Sequence, residues 1–161
     1  MRVRVLGFDG KVFLDRSTDV EIPPLYSTVV GTYSRADLLK DTDAQHAFAV
    51  FDLTVDGKSV SSNVWLFDRT RNLALPSPSI QADLAGTDGV YTLRLLTPAL
   101  ARDVYVAFAD AEVEVSDNYF DLLPNEPVVL QLKSKVTLEE LREQIKVRNI
   151  TDAFLAEVAK Q

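Results

Sequence analysis

The sequence predicts an all-β fold made of antiparallel β-sandwich domains, and two observations carry this prediction. Three Asp-Gly dipeptides, at residues 9–10, 56–57 and 88–89, each lie between strand-like segments. Asp-Gly favours a two-residue type I′ hairpin because both central residues of that turn have positive φ. Apolar and polar residues also alternate in segments such as 91–95 and 104–108, as they do in half-buried strands. Many short strands with apolar faces favour two stacked sheets.

The predicted elements are mostly strands. In chain order the strand segments read VRVLGF, KVFL, HAFAVFDLTV, KSVSSNVWLF, IQADLAG, VYTLRLL, DVYVAF, EVEV and VVLQL. Three short helices are predicted near residues 35–40, 138–144 and 152–159. The first begins at a serine cap, and the second has a capping box formed by Thr137 and Glu140. The third has an amphipathic pattern, with Phe154, Leu155 and Val158 on one side.

The best candidate for a domain boundary is the segment RTRNLALPSPS, residues 69–79, in which two prolines interrupt the strand pattern. We therefore expect two small sandwiches, one at residues 1–68 and one at residues 69–161. A core of roughly 70 residues is thin for an independent domain. Since no segment before the strand at residue 2 could serve as a first strand, we expect the first sandwich to be truncated.

The composition argues against several classes of partner. The net charge of −7 disfavours nucleic acid, because phosphate binding needs a basic surface. No apolar run approaches the roughly 18 residues of a membrane span, so we expect no membrane partner. The absence of cysteine excludes disulfides and thiolate metal sites. No export signal is recognisable, and the compartment stays open between the cytoplasm and an exported location, periplasmic or extracellular.

Histidine chemistry has little support in this sequence. His46 is the only histidine, and it stands at the start of a predicted strand. A zinc site needs three or four protein ligands, and a nucleophile–base pair needs a base that an acid orients. We expect His46 to be structural or exposed, and we expect no metal and no cofactor.

Paired carboxylates are the remaining catalytic candidates. The pairs are Glu112 and Glu114, Glu139 and Glu140, and Asp117 with Asp121. The first pair alternates with valines, so both side chains should point to solvent from one strand. The second pair fits a helix start, where acids interact favourably with the helix dipole. Asp117 fits turn chemistry better than an oxygen cage for calcium. We therefore expect no catalytic residue.

Aromatic side chains could instead stack on sugars. The candidates are Trp65, Tyr26, Tyr33, Tyr91, Tyr105 and Tyr119. A tryptophan on a central strand is more typical of core or interdomain packing. Contact with a sugar or with an interface stays open for Trp65 and Tyr119. Because Tyr119 and Phe120 lie in a turn-like motif, we expect at least one of these two rings to close the edge of the sandwich.

The segment VSDNYFDLLPNE, residues 115–126, resembles the fSDNyFdLlPGe signature near the end of β-mannosidases of glycoside hydrolase family two. The segments GKSVSSNVWLF and RNLALPSPSIQADL are similar to the passage where the last two immunoglobulin-like domains of that family meet. YTLRLLTPALARDVYVAF and LREQIKVRNITDAF resemble the strands and the tail that follow. The resemblance covers essentially the whole chain, in order.

This resemblance implies immunoglobulin-like sandwiches that form a non-catalytic C-terminal portion of a β-mannosidase-like hydrolase. Such an enzyme releases terminal β-D-mannose with retention, and its two catalytic glutamates lie in an upstream (β/α)8 barrel. That barrel, on the same polypeptide, is the implied partner, and carbohydrate is a further candidate. No residue here matches either catalytic motif. A carbohydrate-binding module and a protein-interaction sandwich remain the alternatives.

The resemblance also assigns a structural role to the signature. Its residues are Ser116, Asp117, Asn118, Tyr119, Phe120, Leu122, Leu123 and Pro124. We expect the first three to close a turn, the ring of Phe120 and both leucines to be buried, and Pro124 to help to turn the chain into the next strand. The family glycine is Asn125 here, and asparagine tolerates left-handed φ.

Overall fold

A computed structural model of the chain describes residues 1–40 and 42–153. Its contacts divide the chain into two compact units, of which the first is Met1–Leu75 and the second begins at Pro76. Within the described ranges, no helix is long and apolar enough to cross a lipid bilayer.

Unit 1 is built around one antiparallel sheet. Its elements are β1 (Arg2–Gly7), β2 (Val12–Ser17), α1 (Arg35–Leu39), β3 (Ala47–Val55), β4 (Lys58–Leu66) and a 3-10 turn at Thr70–Asn72. The strands lie in the order β2-β1-β3-β4. Of the two longest strands, β3 is central and β4 lies at an edge of the sheet. The described residues of unit 1 thus supply one of the two layers that a sandwich needs.

The short helix α1 packs against one face of this sheet. Val3 and Val5 of β1 and Ala47 and Ala49 of β3 form a buried cluster with Leu38 of α1. The helix begins where the sequence predicts it, because the Ser34 hydroxyl accepts a hydrogen bond from the Asp37 N–H at 3.0 Å. The predicted helix near residues 35–40 is confirmed.

Two of the three predicted Asp-Gly hairpins are confirmed. Asp56 and Gly57 join β3 to β4 with φ of 50° and 76°, and the dipeptide at 88–89 joins two strands of unit 2 with φ of 53° and 82°. These positive values are those of a type I′ turn.

The predicted two-residue turn at residues 9–10 is wrong, because β1 ends at Gly7 and β2 starts only at Val12. Phe8 is drawn inward instead: it is buried, and its ring stacks on Phe48 at 6.1 Å. The chain then turns with a hydrogen bond from the Gly10 N–H to the Gly7 carbonyl. Burial of the phenylalanine ring outweighs the local turn preference of Asp-Gly.

Unit 2 is a two-layered β-sandwich. Its elements are β5 (Gln81–Thr87), β6 (Val90–Leu96), β7 (Ala101–Phe108), β8 (Val113–Val115), β9 (Phe120–Leu122), β10 (Val128–Ser134), α2 (Leu138–Gln144) and β11 (Ile145–Arg148). One sheet has the order β5-β6-β10-β8 and the other has the order β11-β7-β9. Inward side chains of both sheets, such as Leu93 and Val104, share one core. The all-β immunoglobulin-like sandwich that the sequence predicts is confirmed.

Helix α2 also begins as predicted, with a complete capping box. The Thr137 hydroxyl accepts from the Glu140 N–H, and the Glu140 carboxylate accepts from the Thr137 N–H at 2.9 Å. Leu141 of this helix is fully buried in the sandwich core. Of the third predicted helix, near 152–159, helical conformation is present at 150–153. Phe154, Leu155 and Val158 lie outside the described residues.

Candidate functional site

The segment SDNYFDLLPNE carries the chain from one sheet of unit 2 to the other. It leaves β8, which pairs with β10, and forms β9, which pairs with β7 of the opposite sheet. Ser116 extends the first ladder: its N–H donates to the Gln131 carbonyl at 2.9 Å, and its hydroxyl accepts from the Gln131 N–H at 3.0 Å. We call residues 116–126 the crossover.

Asn118 attaches the crossover to the second sheet through its side chain. Its Oδ1 accepts from the Val106 N–H at 2.7 Å, and its Nδ2 donates to the Val106 carbonyl at 3.1 Å. The next residue, Tyr119, donates its own N–H to the Val104 carbonyl at 2.8 Å. The Asp117 carboxylate accepts a hydrogen bond from the N–H of the next residue, Asn118, at 2.8 Å.

The two aromatic rings of the crossover point in different directions. Phe120 is half-buried and packs against the sandwich core. The side chain of Tyr119 is 69% exposed and stacks on Tyr105 of β7, with ring centroids 5.0 Å apart. Tyr119 has a φ of 63°, in the left-handed region that aromatic residues seldom adopt. The hydrogen bonds of the Asn118 side chain to Val106 and of the Tyr119 N–H to Val104 hold Tyr119 in this conformation.

The second half of the crossover is packed and hydrogen-bonded. Asp121 accepts from the Arg102 guanidinium at 3.2 Å and from the Asp103 N–H at 3.1 Å. Leu122 and Pro124 are buried, whereas Leu123 is half-buried. Asn125 has a φ of 62° and donates its N–H to the Thr97 carbonyl at 2.7 Å. The polar groups of the crossover are thus directed to its own backbone and to neighbouring strands.

The candidate carboxylates do not face one another across a cleft. Glu112 and Glu114 are both exposed on one side of the β8 segment, while the intervening Val113 packs against the core. Glu114 lies directly opposite Lys133 in the β8–β10 ladder, which places opposite charges side by side. The groove that both acids line also contains Lys135. This arrangement places lysines beside the acids and does not provide a second carboxylate that faces them across a cleft.

His46 has an acidic neighbour, but the pair lies on the surface. Its Nδ1 is 2.9 Å from the Asp43 carboxylate, and both side chains are mostly exposed. A hydrogen bond from the Gln45 N–H, followed by the contact with His46, lowers the pKa of Asp43. Within residues 1–40 and 42–153, no group of three or more His, Cys, Asp or Glu side chains is arranged to hold a metal ion.

Trp65 lines an open cleft in unit 1. Trp65 lies opposite Ala49 in the β3–β4 ladder, so its side chain shares the face that carries the α1 cluster. The cleft has a volume of about 440 Å³, and its lining includes Tyr33, Arg35 and Phe51. Trp65 is 62% exposed, so the expectation of core packing for Trp65 is wrong, while packing between domains stays a prediction. We call this feature the Trp65 cleft.

Comparison with known proteins agrees with both halves of this architecture. Residues 1–72 match a family described as a mannosidase Ig/CBM-like domain, and residues 75–153 match Ig_mannosidase, described as an Ig-fold domain. The chain is a tandem of mannosidase-type immunoglobulin-like domains. This mannosidase-type tandem is similar in fold to a crystal structure of β-D-mannosidase from Dictyoglomus thermophilum, with a TM-score of 0.77 and 22% sequence identity. The match covers 92% of this chain and 18% of that one. No curated protein matches the chain.

Sequence reasoning missed two features of the mannosidase-type tandem. The Trp65 cleft depends on the segment before α1 and on the first residue of that helix, because Gly31, Tyr33 and Arg35 line the cleft and lie far from Trp65 in the chain. The sequence carries no signal for the cleft, because the turn at Asp56–Gly57 alone would place Trp65 opposite Phe48, and a register shift between Leu53 and Thr54 moves it opposite Ala49. The double hydrogen bond of Asn118 to Val106 left no signal in the sequence beyond the asparagine itself.

Proposed function

We propose that this chain is the non-catalytic C-terminal portion of a β-mannosidase-like glycoside hydrolase. Its two domains would support a (β/α)8 catalytic barrel on the same polypeptide, and that parent would release terminal β-D-mannose with retention. The observation that supports this proposal is the order of the two mannosidase-type domains, at 1–72 and 75–153, which together account for nearly the whole chain.

The arrangement of the acids is consistent with a supporting role. A retaining glycosidase needs two carboxyl groups roughly 5–5.5 Å apart that flank the scissile bond from opposite sides. Glu112 precedes β8 and Glu114 lies in it, both are exposed, and Lys133 lies opposite Glu114. Asp121 is held by Arg102 and by a backbone N–H. None of these acids is placed as one of a flanking pair.

The direct test is an assay of the 161-residue chain with p-nitrophenyl β-D-mannopyranoside. A β-mannosidase serves as the positive control, and buffer alone gives the background. The proposal expects no release of p-nitrophenol above background at any protein concentration. Release that rises in proportion to the concentration of the chain would contradict the proposal.

Carbohydrate binding is a second candidate function, and one observation favours it. Trp65 exposes most of its indole to solvent in a cleft that also contains Tyr33 and Arg35. A contiguous group of exposed aromatic side chains, unlike a single exposed ring, often marks a ligand-binding groove or an interface.

A further inference from the structure

We infer that the Trp65 cleft of unit 1 is a binding site for a neutral pyranose sugar. This inference rests on the second candidate function and names its site and its ligand class. The cleft volume of about 440 Å³ falls in the range of roughly 300–1,000 Å³ that is typical of small-molecule sites.

The walls of the cleft provide aromatic surfaces for stacking. Trp65 presents an exposed indole, and Tyr33 and Phe51 form a second aromatic surface with ring centroids 6.1 Å apart. The face of an aromatic ring carries partial negative charge. It therefore attracts the slightly positive C–H groups on the apolar face of a pyranose ring.

The cleft also offers hydrogen-bond donors that other parts of the chain leave available. Among the described residues, the Tyr33 hydroxyl, the Arg35 guanidinium and the Trp65 indole N–H have no hydrogen-bond partner. Sugar hydroxyls accept and donate hydrogen bonds, so they could satisfy all three groups. A purely apolar partner would leave these groups unsatisfied, and this outcome carries a desolvation cost.

The charge of the cleft does not require an anionic ligand. Among the described residues that line the cleft, Arg35 is the only charged one, and the carboxylate of Asp68 interacts electrostatically with it. A partly compensated guanidinium attracts an anion less strongly, but it still donates hydrogen bonds to hydroxyl oxygens.

The position of the Tyr33 ring depends on a glycine. A Cβ at Gly31 would lie 2.9 Å from Cε2 and 3.1 Å from the hydroxyl oxygen of Tyr33. Any side chain at residue 31 would therefore displace the ring from its place in the cleft wall. We accordingly expect Gly31→Ala to weaken binding even though it removes no contact group.

The test exploits the fact that Trp65 is the only tryptophan of the chain. The 161-residue chain is titrated with β-1,4-mannotriose and, separately, with cellotriose, and the indole emission is recorded. We expect a saturable change in emission with at least one trisaccharide. Tyr33→Phe should weaken that affinity by about 2- to 12-fold, the effect of one lost hydrogen bond.

Calorimetric titration extends the test to Trp65→Ala, which should show no binding. Tyr119→Ala is the matched control, because it removes an equally exposed ring from unit 2 and should leave the affinity unchanged. Circular dichroism verifies that each variant keeps its β structure. Binding that survives in Trp65→Ala would overturn the site while leaving carbohydrate binding intact. The absence of saturable binding by either sugar in the unaltered chain would overturn both.

Discussion

The side-chain amide of Asn118 makes two hydrogen bonds to the backbone of a single residue, Val106, at 2.7 Å and 3.1 Å. The Asn118 side chain takes the place of a neighbouring strand beside Val106. The backbone of the crossover pairs with β7 only after this point, where β9 begins. Backbone groups of a buried strand need partners, and here one asparagine supplies both a donor and an acceptor.

Substitution of Asn118 should therefore be costly. We expect Asn118→Ala to lower the free energy of unfolding by about 2–3 kcal/mol, because it leaves two half-buried backbone groups of Val106 without partners. Urea denaturation followed by circular dichroism measures the effect. Asn63→Ala is the matched control, since the exposed Asn63 makes one long hydrogen bond of 3.4 Å to Ser61. An equal effect of the two substitutions would contradict this role of Asn118.

The left-handed conformation of Asn125 gives a second prediction. Asn125→Val should destabilise the protein by about 1–2 kcal/mol, because a β-branched residue is strained at positive φ. Asn125→Gly should stay within about 0.5 kcal/mol of the unaltered chain, since glycine adopts this φ without strain. Both variants keep the N–H that donates to Thr97. The midpoints of urea denaturation measure the stability of both variants. Equal stability of Asn125→Val and Asn125→Gly would contradict the role given to the positive φ.

The sequence predicts the local elements of this fold better than its long-range contacts. The Asp56–Gly57 hairpin and the Thr137 capping box depend on residues next to each other or one turn apart, so their chemistry is visible in the sequence. At Asp9 the same dipeptide fails, because the burial of Phe8 against Phe48 decides the path of the chain. That contact joins residues 40 positions apart, which no local pattern reveals.

The Trp65 cleft likewise depends on long-range contacts that the sequence does not reveal. The alternation of β4 places Trp65 on a defined face, but whether this face is covered depends on the segment before α1. Composition and alternation therefore could not distinguish a core tryptophan from an exposed one. For Glu112 and Glu114 the alternation was sufficient, because Val113 between them belongs to the core.

The ion pairs on the sheet of unit 1 should differ in their effect on stability. The side chains of Arg4 and Asp52 are 10% and 17% exposed, and they form a 2.9 Å contact that the Ser62 hydroxyl supports. We expect Asp52→Ala to lower the free energy of unfolding by about 3 kcal/mol, because the largely buried Arg4 guanidinium loses this carboxylate as a partner. Asp15→Ala is the control, as Asp15 pairs with Arg2 at the exposed edge and should have a much smaller effect. Thermal unfolding measures the loss of stability in each variant. Equal losses in Asp52→Ala and Asp15→Ala would contradict the expected difference between the two ion pairs.

The capping box makes the stability of unit 2 depend on pH. Hydrogen bonds from the Thr137 N–H, and then from its hydroxyl, lower the pKa of Glu140. A carboxyl whose pKa is lower in the folded state contributes stability above its unfolded pKa and loses it as pH falls through the folded pKa. We expect the stability difference between the unaltered chain and Glu140→Gln to shrink as pH falls below about 4. Urea denaturation across this range measures it, and a difference independent of pH would exclude the mechanism.

We propose above that these two domains support a β-mannosidase on the same polypeptide. The most direct measurement is the rate of p-nitrophenyl β-D-mannopyranoside hydrolysis by the polypeptide that the natural coding sequence specifies, expressed intact and expressed without residues 1–161. We expect hydrolysis by the intact polypeptide and a shorter half-life of that activity on mild heating when the two domains are removed. An intact polypeptide that does not hydrolyse the β-mannoside would rule out the proposed supporting role.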